Sequence, residues 1–155
     1  MSRFAGFPGR AVATVLGAGY CPVAPGTAGS IVSALIFLLL SPGTLPGWVI
    51  AAALLPLGYW GCREGMRNWG SDPSRVVVDE FAGCWIACLG APAEWGIAGI
   101  GAAFLLFRTF DILKPWPVSV FDRMDSAAGI LLDDIAAGLM ASALLVIAAS
   151  VHGHL

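Results

Sequence analysis

Long apolar runs alternate with short charged islands along this chain. Five apolar segments stand out: Thr27–Leu40, Leu45–Gly61, Val76–Pro92, Trp95–Leu113 and Ile135–Val151. A helix that crosses a membrane needs about 20 mostly apolar residues, with roughly 17 as the floor. Leu45–Gly61 and Ile135–Val151 meet that length, while Thr27–Leu40 is marginal by itself. Trp95–Leu113 qualifies with Arg108 and Asp111 at its end; Val76–Pro92 qualifies only if Asp79 and Glu80 sit at its end or face the protein interior. Turns rich in helix breakers, Ser41-Pro42-Gly43-Thr44 and Ala91-Pro92-Ala93-Glu94, fold the first four segments into two hairpins. The pattern predicts an all-α, polytopic membrane bundle of about five apolar helices with charged loops, forming a single domain over 1–155.

Composition strengthens this picture. Hydrophobic residues make up 58% of the chain and charged residues 12%, against about 25% charged in an ordinary soluble domain. The net charge of −2 argues against a nucleic-acid partner, which usually demands a basic face. Every Arg and Lys falls at the N-terminus (Arg3, Arg10), in 63–75, or in 108–123. A hairpin separates each stretch from the next, so all three share one side of the membrane, which the positive-inside rule makes cytoplasmic. The expectation is a multi-pass protein of a bacterial-type cytoplasmic (inner) membrane, with a functional face toward the cytoplasm. The hairpin turns, with Glu94, and the C-terminal His152 and His154 then face outward.

Three acidic elements carry candidate chemistry: Asp79-Glu80 opening one apolar helix, Asp111 ending another, and Asp133-Asp134 opening the last. Acids at helix starts often only complement the dipole and cap free N–H groups. That account does not cover doubled acids at two membrane boundaries, or Asp111 at a helix end. Carboxylates pressed against hydrocarbon are costly and mark function. A carboxylate cluster without His or Cys ligands selects a hard cation, most simply Mg²⁺. Cys84 and Cys88 lie one helical turn apart in an apolar run, and no Cys-x-x-Cys pair exists, so the cysteines read as buried small hydrophobes.

Arg108, Lys114 and Arg123, in the island beside these acids, suit phosphate oxygens. The loop Cys21-Pro22-Val23-Ala24-Pro25-Gly26-Thr27 enters the first apolar segment. There Gly26 permits close backbone approach, Thr27 is placed to cap the helix, and the helix start suits a phosphate. The expected phosphate-binding set is therefore Arg108, Lys114, Arg123, Gly26 and Thr27. Absences narrow the mechanism. No Cys-x5-Arg, no Asp-x-Asp followed by Thr or Val, and no Gly-x4-Gly-Lys-Ser/Thr loop occurs, and both histidines are C-terminal. Metal-assisted hydrolysis by water, or an unfamiliar carboxylate nucleophile, is what remains.

The runs Val78-Asp79-Glu80-Phe81-Ala82-Gly83, Phe107-Arg108-Thr109-Phe110-Asp111-Ile112-Leu113-Lys114-Pro115-Trp116-Pro117 and Leu132-Asp133-Asp134-Ile135-Ala136-Ala137-Gly138 resemble the phosphatidylglycerophosphatase A family. Ala24-Pro25-Gly26-Thr27 resembles its N-terminal motif, and the likeness spans roughly residues 15–150. The resemblance implies an all-helical enzyme that hydrolyses phosphatidylglycerophosphate to phosphatidylglycerol and phosphate with Mg²⁺, in phospholipid biosynthesis. It also implies that Asp79, Glu80, Asp111, Asp133 and Asp134 form the catalytic and metal-binding set. One stretch departs: many relatives carry a His-Gly-Gly-like run where this chain has Asp125-Ser126-Ala127-Ala128-Gly129. The alternatives are a small membrane transporter or cation-conducting protein, with the acids as intramembrane cation sites, and a noncatalytic membrane subunit.

Overall fold

The computed structural model describes residues 7–71 and 73–152, so Arg3, His154 and the side chain of His152 lie outside the described residues. Helix α1 spans Phe7–Ala13 and is followed by a 3-10 turn at Ala18–Tyr20. Then come α2 (Pro25–Leu40), α3 (Thr44–Trp69), α4 (Val78–Leu89), α5 (Gly96–Leu113), α6 (Val118–Asp122) and α7 (Ala127–His152). No strand occurs among the described residues. The five expected apolar segments fall on α2, α3, α4, α5 and α7, with differences at several ends.

Their ends follow from local chemistry. Pro25 opens α2, where its missing N–H costs nothing. Ser41, at φ 40°, turns the chain out of α2 before Pro42-Gly43. Thr27 is not the cap that the sequence suggested: α2 begins two residues earlier, behind Ala24, and has no side-chain cap. Helix α3 continues past the apolar Leu45–Gly61 for two further turns, carried by polar residues such as the Glu64–Arg67 ion pair at 2.9 Å. The Asp133-Asp134 pair does not open the last helix either. Ser126 Oγ accepts the Gly129 N–H at 3.1 Å and starts α7 well before it, leaving the two acids at the end of the second turn.

Among the described residues, three helical stretches are long and apolar enough to cross a membrane: Thr44–Trp69, Ala93–Leu113 and Ala127–Val151. Helix α4 is not among them. At 12 residues it rises about 18 Å, short of the roughly 30 Å hydrocarbon thickness, and it stops at Gly90. It is instead the enclosed centre of the bundle, packed against α2, α3, α5 and α7. Trp85 anchors it by donating from Nε1 to the Gly47 carbonyl (3.0 Å), with the Phe37 ring edge-on at 4.9 Å. Cys62, Cys84 and Cys88 are buried in this core as expected, while Cys21 is half-exposed. The outer helices turn Leu35, Leu39, Val49, Ile97, Leu105, Val146 and Ile147 outward, the surface that lipid tails would cover.

The basic stretches gather at one end. Arg10 donates to Asn68 Oδ1 through Nε (3.1 Å) and Nη2 (2.9 Å), and the Arg75 guanidinium lies 5.8 Å from the Tyr20 ring centroid. Gly26, at the start of α2, meets the side chains of Glu80 and Arg108. The turns 41–44 and 90–96, the latter containing Glu94, surround an apolar recess of about 640 Å³ with the far end of α7.

Candidate active site

The acidic residues converge where the N-terminus of α4 meets α7. Bare backbone makes that approach possible. A β-carbon on Gly83 would come within 2.5 Å of the Asp134 carbonyl and 2.6 Å of Phe107, and one on Gly138 would strike the Gly83 backbone. With both positions glycine, α4 and α7 touch main chain to main chain. Asp79 and Glu80, in the first turn of α4, are thereby pressed against Asp134.

Each of these three residues offers one carboxylate oxygen, and the three oxygens lie within 4.8 Å of one another. Asp79 and Asp134 are buried and Glu80 is nearly so. Asp79 Oδ1 and Glu80 Oε2 are buried with no hydrogen-bond partner among the described residues. No cation of the described residues forms an ion pair with the triad: Arg108 goes to Asp111 at 2.6 Å, and Lys114 goes to Asp133 at 2.9 Å and to Asp122. Three crowded, unneutralised carboxylates with orphaned oxygens are costly without a counter-charge. Their all-oxygen donor set fits a small divalent cation.

The five expected acids thus divide. Asp133 and Asp134 are neighbours on one helix, so their side chains diverge by roughly 100°: Asp134 enters the triad and Asp133 turns to Lys114. Asp133 Oδ1 also accepts the Asp134 backbone N–H at 3.0 Å. Asp111 and Asp133 hold cations and stand outside the triad. Lys114 caps α5 in a left-handed conformation, φ 47°, with its N–H on the Phe110 carbonyl. Its partial burial pulls the ammonium pKa down, but the hydrogen bonds it donates to Asp122 and Asp133 outweigh that and leave it above the ordinary lysine value.

Triad, Asp111, Asp133, Lys114 and Arg123 line one open cavity of about 240 Å³. Arg108 reaches it only through Asp111, and Gly26 through Glu80; Thr27 does not line it. Sequence reasoning missed Asp122 and Ser126, which also line the cavity. Asp122 stands eight residues after Lys114, so the short helix α6 was needed to bring them together. Asp125 lies on the same rim, within the stretch where the chain departs from its resemblance.

A family model described as Phosphatidylglycerophosphatase A matches residues 11–149. The chain is 33% identical over 143 residues to phosphatidylglycerophosphatase A of Escherichia coli, covering 89% of this chain and 81% of that one. Over 141 residues it is 35% identical to the Haemophilus influenzae protein of the same name, covering 86% and 84%. It is 38% identical over 152 residues to a Bacteroides thetaiotaomicron protein provisionally named a phosphatidylinositol-3-phosphatase, covering 92% and 94%. No solved structure matches.

Proposed function

This chain belongs to the phosphatidylglycerophosphatase A family, and from that premise we infer that its acidic cavity hydrolyses phosphatidylglycerophosphate to phosphatidylglycerol and phosphate, using Mg²⁺. The chain is an enzyme, a phosphatase of phospholipid metabolism. The family speaks for phosphatase chemistry and lends no support to a transporter.

The observation that carries the metal-dependent reading is the triad with its two orphaned oxygens. In this reading Asp79, Glu80 and Asp134 hold the ion, and Asp111 and Asp133 keep Arg108 and Lys114 in place. Mg²⁺ held there would neutralise phosphate charge and acidify an attacking water. Lys114 has three donors and spends two on Asp133 and Asp122; the third, without a partner among the described residues, suits an oxygen of the substrate. Arg108 and Gly26 act behind Glu80 and Asp111, fixing their positions from outside the cavity.

Placement follows the charge asymmetry: the cavity opens at the basic end of the bundle, which the positive-inside rule assigns to the cytoplasmic face of the inner membrane. The Bacteroides relative favours a second substrate, phosphatidylinositol 3-phosphate, which presents the same phosphomonoester on a different headgroup. Purified enzyme in mixed micelles, offered each lipid with Mg²⁺ and after chelation, separates these readings. Metal-dependent phosphate release with the higher kcat/KM on phosphatidylglycerophosphate is expected. Full activity after exhaustive chelation removes the metal from the mechanism, and a preference for the inositol lipid reassigns the substrate.

A further inference from the structure

The cavity's cations differ in what they are already bonded to. Lys114 is held by two carboxylates, and Arg108 is held by Asp111 behind the cavity wall. Arg123 lines the same cavity, is exposed, and has no carboxylate partner among the described residues. It follows α6 directly, its N–H bonded to the Phe121 carbonyl. Val120 and Met124, close to it in sequence, and Trp116, just ahead of α6, are large, apolar and exposed. An exposed tryptophan is at home at the boundary between hydrocarbon and headgroups.

Substrate chemistry gives this arrangement a use. Both candidate lipids carry two phosphates: a terminal phosphomonoester, and a phosphodiester that joins headgroup to diacylglycerol. The monoester must reach the buried triad and Lys114. The diester remains at the mouth, beside the tails. We propose that Arg123 forms a second phosphate subsite that binds the phosphodiester of the lipid and so selects substrates with two phosphates. The subsite rests on the phosphatase reading above and adds to it a residue for choosing among lipid phosphates. A guanidinium suits the task, because it can take two oxygens of one phosphate at once.

The two products of the reaction carry one phosphate each, and so probe the two subsites separately. Phosphatidylglycerol carries only the diester, and inorganic phosphate occupies the inner site. In Arg123→Gln the inhibition constant for phosphatidylglycerol should rise about tenfold or more, the usual worth of a hydrogen bond to a charged group. The constant for inorganic phosphate should stay near the wild-type value, and Arg123→Lys should fall between. On wild-type enzyme, phosphatidylglycerol should inhibit competitively, whereas diacylglycerol, with the same tails and no phosphate, should not. Equal shifts in both constants, no shift in either, or equal inhibition by diacylglycerol overturns the subsite. This second comparison stands even where the Arg123 variants fold poorly in detergent. A wild-type enzyme that releases no phosphate from phosphatidylglycerophosphate overturns the parent reading instead.

Discussion

Gly26, in the first turn of α2, lies so close to the Glu80 carboxylate that a β-carbon built on it would stand 2.8 Å from Glu80 Cδ. Its role is thus to leave room for an acid of the triad. Gly26→Ala should be neutral or slightly favourable for the helix itself, since alanine is the better helix former by about 1 kcal/mol. The added methyl must push the Glu80 side chain away from Asp79 and Asp134. Turnover should fall by about 10²-fold, the scale of a 1 Å misplacement in an active site, with the melting temperature little changed. Wild-type turnover in a well-folded Gly26→Ala enzyme would separate Glu80 from the chemistry.

Asp79→Asn and Asp134→Asn test the triad. Each keeps size and removes one charge. Turnover should drop by orders of magnitude, because metal and aligned water supply several kcal/mol in the transition state. A second signal does not depend on turnover. Mg²⁺ that binds only the folded protein raises its melting temperature by mass action, and this rise should be present in wild type and absent from both variants. Asp125→Asn, on the rim and without an ion pair among the described residues, should lose less than about threefold and keep the Mg²⁺ response, as surface changes usually do. An Asp79→Asn protein that still responds to Mg²⁺ would remove Asp79 from the ion's ligands.

Much of this site is legible in the sequence because membrane proteins seldom place acids against hydrocarbon without a use. Asp79-Glu80, Asp111 and Asp133-Asp134 stand out for that reason. Their division into a triad and two cation-holding acids is not legible. It depends on the angle between adjacent side chains of α7 and on the contact of Gly83 with Gly138, which no single segment encodes. The length of α4 was misjudged for a related reason. A helix enclosed on all sides reads as apolar as one that spans, so Val76–Pro92 is long enough to cross with Asp79 and Glu80 turned to the interior, yet its helix stops at Leu89. The start of α7 was hidden by the apolar pattern, which begins after the acids, while the capping Ser126 lies well before them.

Sidedness is open to a labelling test. Single cysteines at exposed positions, Ser74→Cys and Asp125→Cys at the basic end and Thr44→Cys in the opposite turn, would be placed in a chain freed of its native cysteines. In right-side-out vesicles an impermeant maleimide should reach only the Thr44→Cys probe, and in inverted vesicles only the other two. Labelling of Ser74→Cys and Asp125→Cys from different faces would break the common end that the bundle assigns to them. Labelling of both from outside would invert the topology and leave the fold intact.

Asp122 is the residue whose role is least visible beforehand, and it acts through Lys114. The left-handed turn at Lys114 aims its side chain at α6 and α7, where Asp122 and Asp133 accept hydrogen bonds from its ammonium. Asp122→Asn keeps an acceptor but removes the charge, so Lys114 is held less firmly and its third donor is less well aimed. A fall of about tenfold in kcat/KM is expected, the scale of a charge-assisted hydrogen bond. The pH profile supplies a sign. Asp122 helps to hold the Lys114 pKa above its ordinary value, so in wild type Lys114 stays cationic through neutral and moderately alkaline pH. Without Asp122 its pKa drops, and the alkaline limb of kcat/KM that depends on Lys114 should move to lower pH. A double-mutant cycle completes the argument, since residues in one network fail to add. In a Lys114→Met background, Asp122→Asn should cost nothing further. An undiminished tenfold loss there would show that Asp122 meets the substrate or supports the fold by itself, and that the Lys114 bond is incidental.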